Sequence, residues 1–322
     1  MRINVLLGLV ILSLLSVQGK ADTTITLRNS FVEKYHERVS MDVTYLLVAG
    51  QTNPHDPSND GEVHMSGTAT DATDNTNVGF AIVAEIWRAQ KYGGRAGLLQ
   101  WIADQANRNP VPMRGVWRIW AEHGAGTFRQ GDPQIPSTWS PITNPNHVFE
   151  LHPLLGVTLG TQSFSFLNDM TFLAGFDALN DAARTRGAFG YFERMICTVT
   201  PGPQTTTIAG SNHKFNFVQF KARLREAPTP NPSGDGIMVL ADIVDQNGQG
   251  ETATTPLASN VRLVFPAGTT AAATIQTLSV GASLKLVGFP RMNLTTVRTV
   301  IQSGHRFQGK FPYEIVVQTL GN

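Results

Sequence analysis

The chain has 322 residues, of which 41% are hydrophobic and 15% charged, and its 30 glycines and 18 prolines suit short strands joined by many turns. Such a length exceeds what one core usually supports, so we expect two domains. The formal net charge is +1 and the lysines and arginines are dispersed, which argues against binding of nucleic acid through bulk charge.

Residues 1–21 have the pattern of a cleavable secretory signal peptide. Arg2 supplies a positive charge, Val5–Val17 form an apolar run, and cleavage is expected after Gly19 or Ala21. The run is about 13 residues long, and a membrane-spanning helix needs roughly 20. We therefore expect a protein that is not membrane-embedded and that acts in the periplasm or outside the cell.

The first half of the chain predicts an OB-like domain at residues 31–158. Its segments alternate as five strands, with one helix after the third. The predicted strands are Val39–Val48, Glu62–Ala69, Phe80–Trp87, Met113–Glu122 and His147–Val157, and the helix is Leu98–Ala106. This order is that of the OB-fold, a five-stranded, partly open Greek-key barrel.

The second half predicts a similar domain at residues 211–322, after a partly helical connector at 159–210. One apolar face of that connector would carry Phe172, Phe176, Leu179 and Ala182. The later strands are Lys214–Arg225, Gly236–Asp245, Asn260–Phe265, Ser283–Arg291 and Tyr313–Thr319, and the helix is Thr269–Leu278. We expect a mainly β fold of two five-stranded OB-like barrels, each with one helix, and find no residue-level identity between the halves.

Polar side chains alternate with apolar ones along the strands of the first domain. The polar positions are Asp60, Glu62 and His64, then Glu85, then His123, and then Glu150 with His152. Glu85 interrupts an apolar strand, where a carboxylate is costly unless it is paired or metal-bound. Strand alternation places Glu150 and His152 on one face, with His147 and Phe149 on the other.

Imidazoles and carboxylates together suit a divalent transition metal such as Zn²⁺ or Mn²⁺. The candidate metal ligands are Asp60, His64, His123 and His152. Glu85 and Glu150 are the candidate catalytic bases, because a carboxylate beside metal-bound water can activate it against a phosphodiester. Arg114 and Arg118 are the candidate ligand-binding residues, as contacts to a phosphate.

A structural interpretation of the same residues stays open. Glu85 would accept a hydrogen bond from an indole or pair with an arginine, the partners being Trp117, Trp120, Arg114 and Arg118. His152 would cap a turn, and His64 would lie on the solvent face of a barrel strand.

Four short motifs follow one another in the first domain. They are Asp60-Gly61-Glu62-Val63-His64, Ala84-Glu85-Ile86, Gly115-Val116-Trp117 with Glu122-His123-Gly124, and Glu150-Leu151-His152-Pro153. Their order resembles a widespread, uncharacterised bacterial family with an OB-like domain, over about residues 31–156. The chain departs from it by a longer insertion before His147 and by its second domain. The resemblance implies a shared domain and no particular activity.

Three functions are compatible with these patterns. The first is a secreted two-domain binding or accessory protein, with an unknown ligand and a histidine and carboxylate metal site in its first domain. The second is a metal-dependent phosphodiesterase or nuclease that uses the same residues, an analogy with OB-like extracellular nucleases. The third is a surface protein-interaction module whose second domain docks a partner.

Overall fold

A computed structural model of the protein describes residues 23–51, 53–55, 61–87, 89, 98, 109–131, 143–167, 182–244 and 256–320. The predicted signal peptide and the connector residues Phe172, Phe176 and Leu179 lie outside these ranges. Within them the chain is mainly β, and no helix there is both long and apolar enough to cross a membrane.

The elements fall into two barrels, a separate sheet and four helices within the described residues. The strands are β1 (Thr23–Arg28), β2 (Ser40–Gly50), β3 (Val63–Asp71), β4 (Ile82–Ile86), β5 (Val111–Ile119), β6 (Gly126–Arg129), β7 (Phe149–Leu159), β8 (Gln162–Ser165), β9 (Ile196–Pro201), β10 (Thr205–Gly210), β11 (Val218–Leu224), β12 (Thr229–Pro230), β13 (Gly236–Val244), β14 (Ala258–Pro266), β15 (Ser283–Met292), β16 (Phe307–Lys310) and β17 (Tyr313–Leu320). The helices are α1 (Asn29–Tyr35), α2 (Ala182–Phe192), α3 (Thr270–Ile275) and α4 (Leu294–Ser303).

Barrel 1 consists of β2, β3, β4, β5 and β7. Antiparallel pairing runs in the order β4-β3-β2-β5-β7, and a parallel pairing of β4 with β7 closes the barrel. This is the pairing pattern of the OB-fold, so the predicted fold class is confirmed for this half. Its interior is apolar and includes Val63, Met65, Ala84 and Leu151. Of the helix predicted after the third strand, only Leu98 is described, and it is helical and buried.

Barrel 2 repeats the pattern with β11, β13, β14, β15 and β17. β11 pairs with both β13 and β15, and β14 runs parallel to β17 to complete the closed barrel. The predicted helix after the third strand is α3, which Thr269 caps by accepting a hydrogen bond from the Ala272 amide. A second helix, α4, was not predicted, and it lies between β15 and β17. It ends at Gly304, whose φ of 67° is readily adopted by glycine.

A third sheet, in the order β16-β9-β10-β1-β6, was not predicted. Its strand β1 lies between β10 and β6, antiparallel to the first and parallel to the second. The hairpin β9–β10 and helix α2 both fall in the segment expected to be a connector, which therefore contributes strands as well as a helix.

The two barrels carry the same three residues at equivalent places on their fourth and fifth strands. Arg118 lies opposite Glu150 in the β5–β7 register, and Arg291 lies opposite Glu314 in the β15–β17 register. A glycine lies three residues before each arginine. The two tetrapeptides, which agree at this glycine and at the arginine, are Gly115-Val116-Trp117-Arg118 and Gly288-Phe289-Pro290-Arg291. The expectation that no residue-level identity links the halves is therefore wrong at these positions.

The shared glycines have a common packing reason. A Cβ at Gly115 would lie 2.9 Å from the Leu151 Cβ, and a Cβ at Gly288 would lie 2.5 Å from the Ile315 Cγ2. Leu151 and Ile315 are equivalent in register, because each lies one residue after its strand's glutamate. Both fourth strands therefore need a residue without a side chain where the fifth strand approaches.

The shared arginines hold the barrels against each other by equivalent hydrogen bonds. Arg118 donates from Nε to the Pro290 carbonyl at 2.9 Å and from Nη2 to the Asn216 carbonyl at 3.2 Å. Arg291 donates from Nη1 to the Trp117 carbonyl at 3.1 Å and to the Val39 carbonyl at 3.0 Å. Trp117 matches Pro290 in register and Val39 matches Asn216, so the two sets of contacts are related by a pseudo-twofold axis.

Candidate metal centre

Polar residues project from the outside of barrel 1 into the interface with barrel 2. His64 and Glu85 are cross-strand partners on β3 and β4, and their neighbours Val63, Met65 and Ala84 face the barrel interior. Alternation therefore turns the polar pair outward. We call the following set the interface cluster: Glu62, His64, Glu85, Glu150 and His152. All five are buried, and the Phe289 ring of barrel 2 lies 4.1 Å from the His152 ring.

His152 lies at the centre of the interface cluster. Its Nδ1 is 2.5 Å from Glu85 Oε2 and 3.5 Å from Glu150 Oε2, and its Nε2 is 3.1 Å from Glu62 Oε1. The His64 Nε2 atom is 3.6 Å from Glu85 Oε1 and 3.8 Å from Glu62 Oε2. Side chains from β3, β4 and β7, with Glu62 just before β3, thus meet at one point.

The contacts of His152 are close, but they are not well-formed hydrogen bonds. Both its ring nitrogens, and Oε2 of Glu85, are buried and have no partner with acceptable hydrogen-bond geometry among the described residues. Glu62, Glu85 and His152 each place one donor atom within 4.8 Å of the others. Donor atoms that converge without sharing protons are the arrangement expected of metal ligands.

Charge also favours a cation at this place. Among the described residues, three buried carboxylates, those of Glu62, Glu85 and Glu150, lie around one guanidinium, that of Arg118. Burial disfavours the charged imidazolium, but Glu85 and Glu62 outweigh it and raise the pKa of His152 well above its usual value. Either protons or a divalent ion must therefore supply positive charge.

Glu150 is held differently from the other carboxylates. It is ion-paired with Arg118 Nη1, and its Oε1 lies 3.2 Å from His147 Nε2. Burial raises its pKa, but Arg118 and the two histidines overcome this and hold the pKa of Glu150 well below its usual range. Glu122, also beside Arg118, has its pKa raised by burial to about 7.

Asn216 of barrel 2 forms hydrogen bonds with both Glu62 and Arg118. Its side-chain amide donates to Glu62 Oε2 at 3.3 Å, and its Oδ1 accepts from Arg118 Nη1 at 2.9 Å. The second barrel therefore supplies both the apolar cover and a hydrogen bond that orients one candidate ligand.

The structure brings together five of the eight residues selected from the sequence. These are His64, Glu85, Arg118, Glu150 and His152. Asp60 lies outside the described residues. His123 is exposed and stacks on His147 with ring centroids 5.3 Å apart, and the half-exposed Arg114 lies near Ser40 and Asp42 instead.

Two residues near the centre were not selected from the sequence. Glu62 shares the strand face of His64, so the alternation already pointed to it. His147 was expected to face away from Glu150, and this is wrong because β7 begins only at Phe149. Before the strand begins, the two-residue alternation does not apply, and the His147 ring turns toward Glu150.

The contacts expected from the structural interpretation are present for Arg118 but differ for the two indoles and for His64. The Trp117 indole donates to the Arg38 carbonyl at 2.8 Å rather than to Glu85, and the Trp120 indole makes no hydrogen bond within the described residues. His64 is buried at 5% exposure, so its expected place on a solvent face is wrong. Arg118 does act in a buried ion pair, with Glu150 as its closest carboxylate.

Barrel 2 carries apolar or small residues at the equivalent positions of the same interface. Matching the registers pairs Glu62 with Gly236, His64 with Met238, Glu85 with Val264 and His152 with Val316. Val264 and Val316 pack against Val39, Val116 and Leu155 of barrel 1 in an apolar cluster. The half of the interface that barrel 2 contributes is therefore apolar at these positions.

Comparisons with known proteins give no match in two cases and a weak structural likeness in the third. No family model matches it, and no curated protein matches it. Among solved structures, it is similar to the single-stranded DNA binding protein from Thermus aquaticus, as a deletion mutant and as the wild type. The identities are 8% and 9% and the TM-scores 0.22 and 0.21, with 88% of this chain and 92% and 91% of those chains covered. A likeness this low carries no argument, and the fold assignment rests on the strand pairings.

Proposed function

We propose that this is a secreted, two-barrel binding or accessory protein in which a divalent metal, Zn²⁺ or Mn²⁺, stabilises the contact between the barrels. Glu62, Glu85 and His152 supply the ligands, and His64 is close enough to supply a fourth. The observation that carries the proposal is the convergence of three buried donors, from Glu62, Glu85 and His152, within 4.8 Å of one another.

A structural role for the metal is favoured over a catalytic one. A catalytic metal needs a coordination position that substrate or water can reach. The five residues of the interface cluster are at most 5% exposed, and Phe289 covers His152. Glu150, the second candidate base, is engaged by Arg118 and His147. This supports a binding or accessory protein rather than a phosphodiesterase or nuclease.

The docking of the barrels also bears on the ligand. OB-folds bind oligonucleotides and oligosaccharides on the face of their second and third strands. In barrel 1 that face carries His64 and Glu85, and in barrel 2 it carries Met238 and Val264, all at the interface between the barrels. Any ligand of this protein therefore binds elsewhere, and nucleic acid is not favoured as a partner.

The motifs that resemble the bacterial family supply the proposed ligands. His64 and Glu62 come from the first motif, Glu85 from the second and His152 from the last. We propose that this resemblance reflects a shared metal site, in proteins that act in the periplasm or outside the cell.

Elemental analysis of the mature protein, purified without a chelator or a His-tag, tests the proposal. We expect about one Zn or Mn per chain, and Glu85→Gln and His152→Ala should lose it. Asp242→Asn is the matched control, because Asp242 is a buried carboxylate of barrel 2 that pairs with Arg223 and Arg225. A protein that takes up no metal even after supplementation would leave the cluster purely structural and overturn the proposal.

A further inference from the structure

A second group of donor atoms adjoins the interface cluster. Glu85, His147 and Glu150 are buried, and each places one donor within 4.8 Å of the other two. This group shares Glu85 with the group formed by Glu62, Glu85 and His152, so the two are contiguous. On its other side, His147 stacks on the exposed ring of His123. Side chains that can bind a metal ion therefore form a continuous path from the exposed His123 to the buried His152.

The backbone orients the His147 ring. Its Nδ1 lies 2.7 Å from the Pro145 carbonyl oxygen, which can only accept, so Nδ1 donates. The other ring nitrogen, Nε2, faces Glu150 Oε1 at 3.2 Å. A histidine that donates one ring N–H to a backbone carbonyl and turns its other nitrogen toward a carboxylate has the usual orientation of a metal ligand.

The two oxygens of Glu150 have separate roles. Oε2 is ion-paired with Arg118 Nη1, as the equivalent Glu314 is with Arg291, whereas Oε1 faces His147. The structural pair therefore leaves one oxygen available as a ligand. Because the two donor groups share Glu85, they hold a single ion that exchanges between them.

We propose that His123, His147 and Glu150 form an uptake route along which a divalent metal ion passes from the surface to the interface cluster. The inference rests on the metal site proposed above. The ion binds between His147 Nε2 and Glu150 Oε1 and then transfers to the group of Glu62 and His152, with the shared Glu85 coordinating it in both places. In each transfer one metal–ligand bond breaks as another forms, and no covalent bond changes. At the surface, beside the His123 ring, the ion exchanges its water ligands for protein ligands.

The test follows Zn²⁺ uptake by the metal-free mature protein, in competition with a colorimetric zinc indicator. Losing an outer partner of a metal site lowers metal affinity by about 10-fold or more, so a weakened transit site should slow uptake by about tenfold in His123→Ala and His147→Gln. The final content of His123→Ala should stay at that of the unsubstituted protein. His305→Ala is the matched control, because His305 is an exposed histidine that follows α4 in barrel 2, outside the proposed route.

The outcomes separate this inference from the metal site itself. Slower uptake at unchanged final content in His123→Ala supports the route, and that variant changes an exposed side chain. Uptake as fast as in the unsubstituted protein for both variants overturns the route and leaves the site standing. An unsubstituted protein that binds no Zn²⁺ overturns the site and the route together.

Discussion

One interface joins two barrels of the same topology, and its two halves differ in chemistry. In the half contributed by barrel 1, four buried positions carry charged or titratable residues, and in barrel 2 the matching positions are Gly236, Met238, Val264 and Val316. The apolar half shows that docking requires no polar group at these positions. Burying ions costs several kcal/mol each before any compensation. The polar half is therefore better explained by a ligand than by the fold, which is the basis of the metal proposal.

The largest expected effect comes from removing the shared arginine of each barrel. Arg118→Met removes the guanidinium that pairs with the buried Glu150, leaves only histidines beside that carboxylate among the described residues, and should lower the free energy of unfolding by about 3–5 kcal/mol. Arg291→Met should lower it less, because Glu314 keeps Arg262 at 3.4 Å. Urea unfolding at pH 7 measures both. A smaller loss in Arg118→Met than in Arg291→Met would contradict the charge count given for barrel 1.

Giving barrel 1 the residues of barrel 2 sharpens the comparison further. The variant carries Glu62→Gly, His64→Met, Glu85→Val and His152→Val. We expect its unfolding free energy to exceed that of the metal-free parent by about 1–4 kcal/mol, because well-packed apolar residues often stabilise a protein more than buried ions do. With Zn²⁺ at about 1,000 times its Kd, the unfolding free energy of the parent should rise by about 4 kcal/mol. It should then exceed that of the variant. Thermal or urea unfolding with EDTA and with Zn²⁺ measures this reversal. Its absence would mean that the cluster stabilises the fold without metal.

A buried histidine in an apolar setting provides a contrast with His152. His213 packs against Trp120 and Phe311 and accepts a hydrogen bond from the Ala121 amide, and burial lowers its pKa to about 3. Since its folded pKa lies below the unfolded value, its contribution to stability is present above pH 6.5 and is lost as the pH falls. We expect a loss of about 2 kcal/mol between pH 6.5 and pH 5.

The measurement is urea unfolding at both pH values for the parent and for His213→Gln, which should lack this part of the pH dependence. His152 does not produce the same loss, because its raised pKa keeps its contribution intact on the acid side. An equal pH dependence in parent and variant would show that His213 can be charged in the folded protein.

The smallest effect is expected four residues from the largest, on the same strand. Arg114 is half-exposed, and its Nε lies 3.9 Å from Asp42 Oδ1. Arg114→Ala should change the free energy of unfolding by less than about 0.5 kcal/mol and leave the metal content unchanged. Urea unfolding and elemental analysis check this. A clear loss of metal would place Arg114 in the site after all.

The barrel strands were predictable because their side chains alternate between a core and another surface. β3 and β13 show this clearly, and the same pattern located α3 between strands. Helix α4 was not predicted although Leu294, Val297 and Val300 recur at helical spacing, because the OB-like pattern predicts one helix per barrel. The strands of the third sheet are four to six residues long, and β1 pairs with residues more than 100 positions away, which local patterns do not reveal.

The candidate site was predictable in part for a similar reason. Alternation located His64, Glu85 and His152 on outward faces, but it could not show that another barrel covers those faces. The contribution of Asn216 depends on docking between segments that are 154 residues apart in the chain. The tetrapeptides that begin with Gly115 and Gly288 were visible in the sequence, but only the registers give them a common meaning.

The third sheet has a consequence for how the chain folds. Its strands come from four separate stretches between Thr23 and Lys310, so pairing them closes loops of roughly a hundred residues or more. Closing such a loop costs conformational entropy before the strand contacts form and stabilise the chain. Chains with many contacts between distant residues therefore fold slowly. Expressed alone, either half would lack strands that the other half supplies. The two barrels resemble independent modules, yet the chain must fold as one cooperative unit.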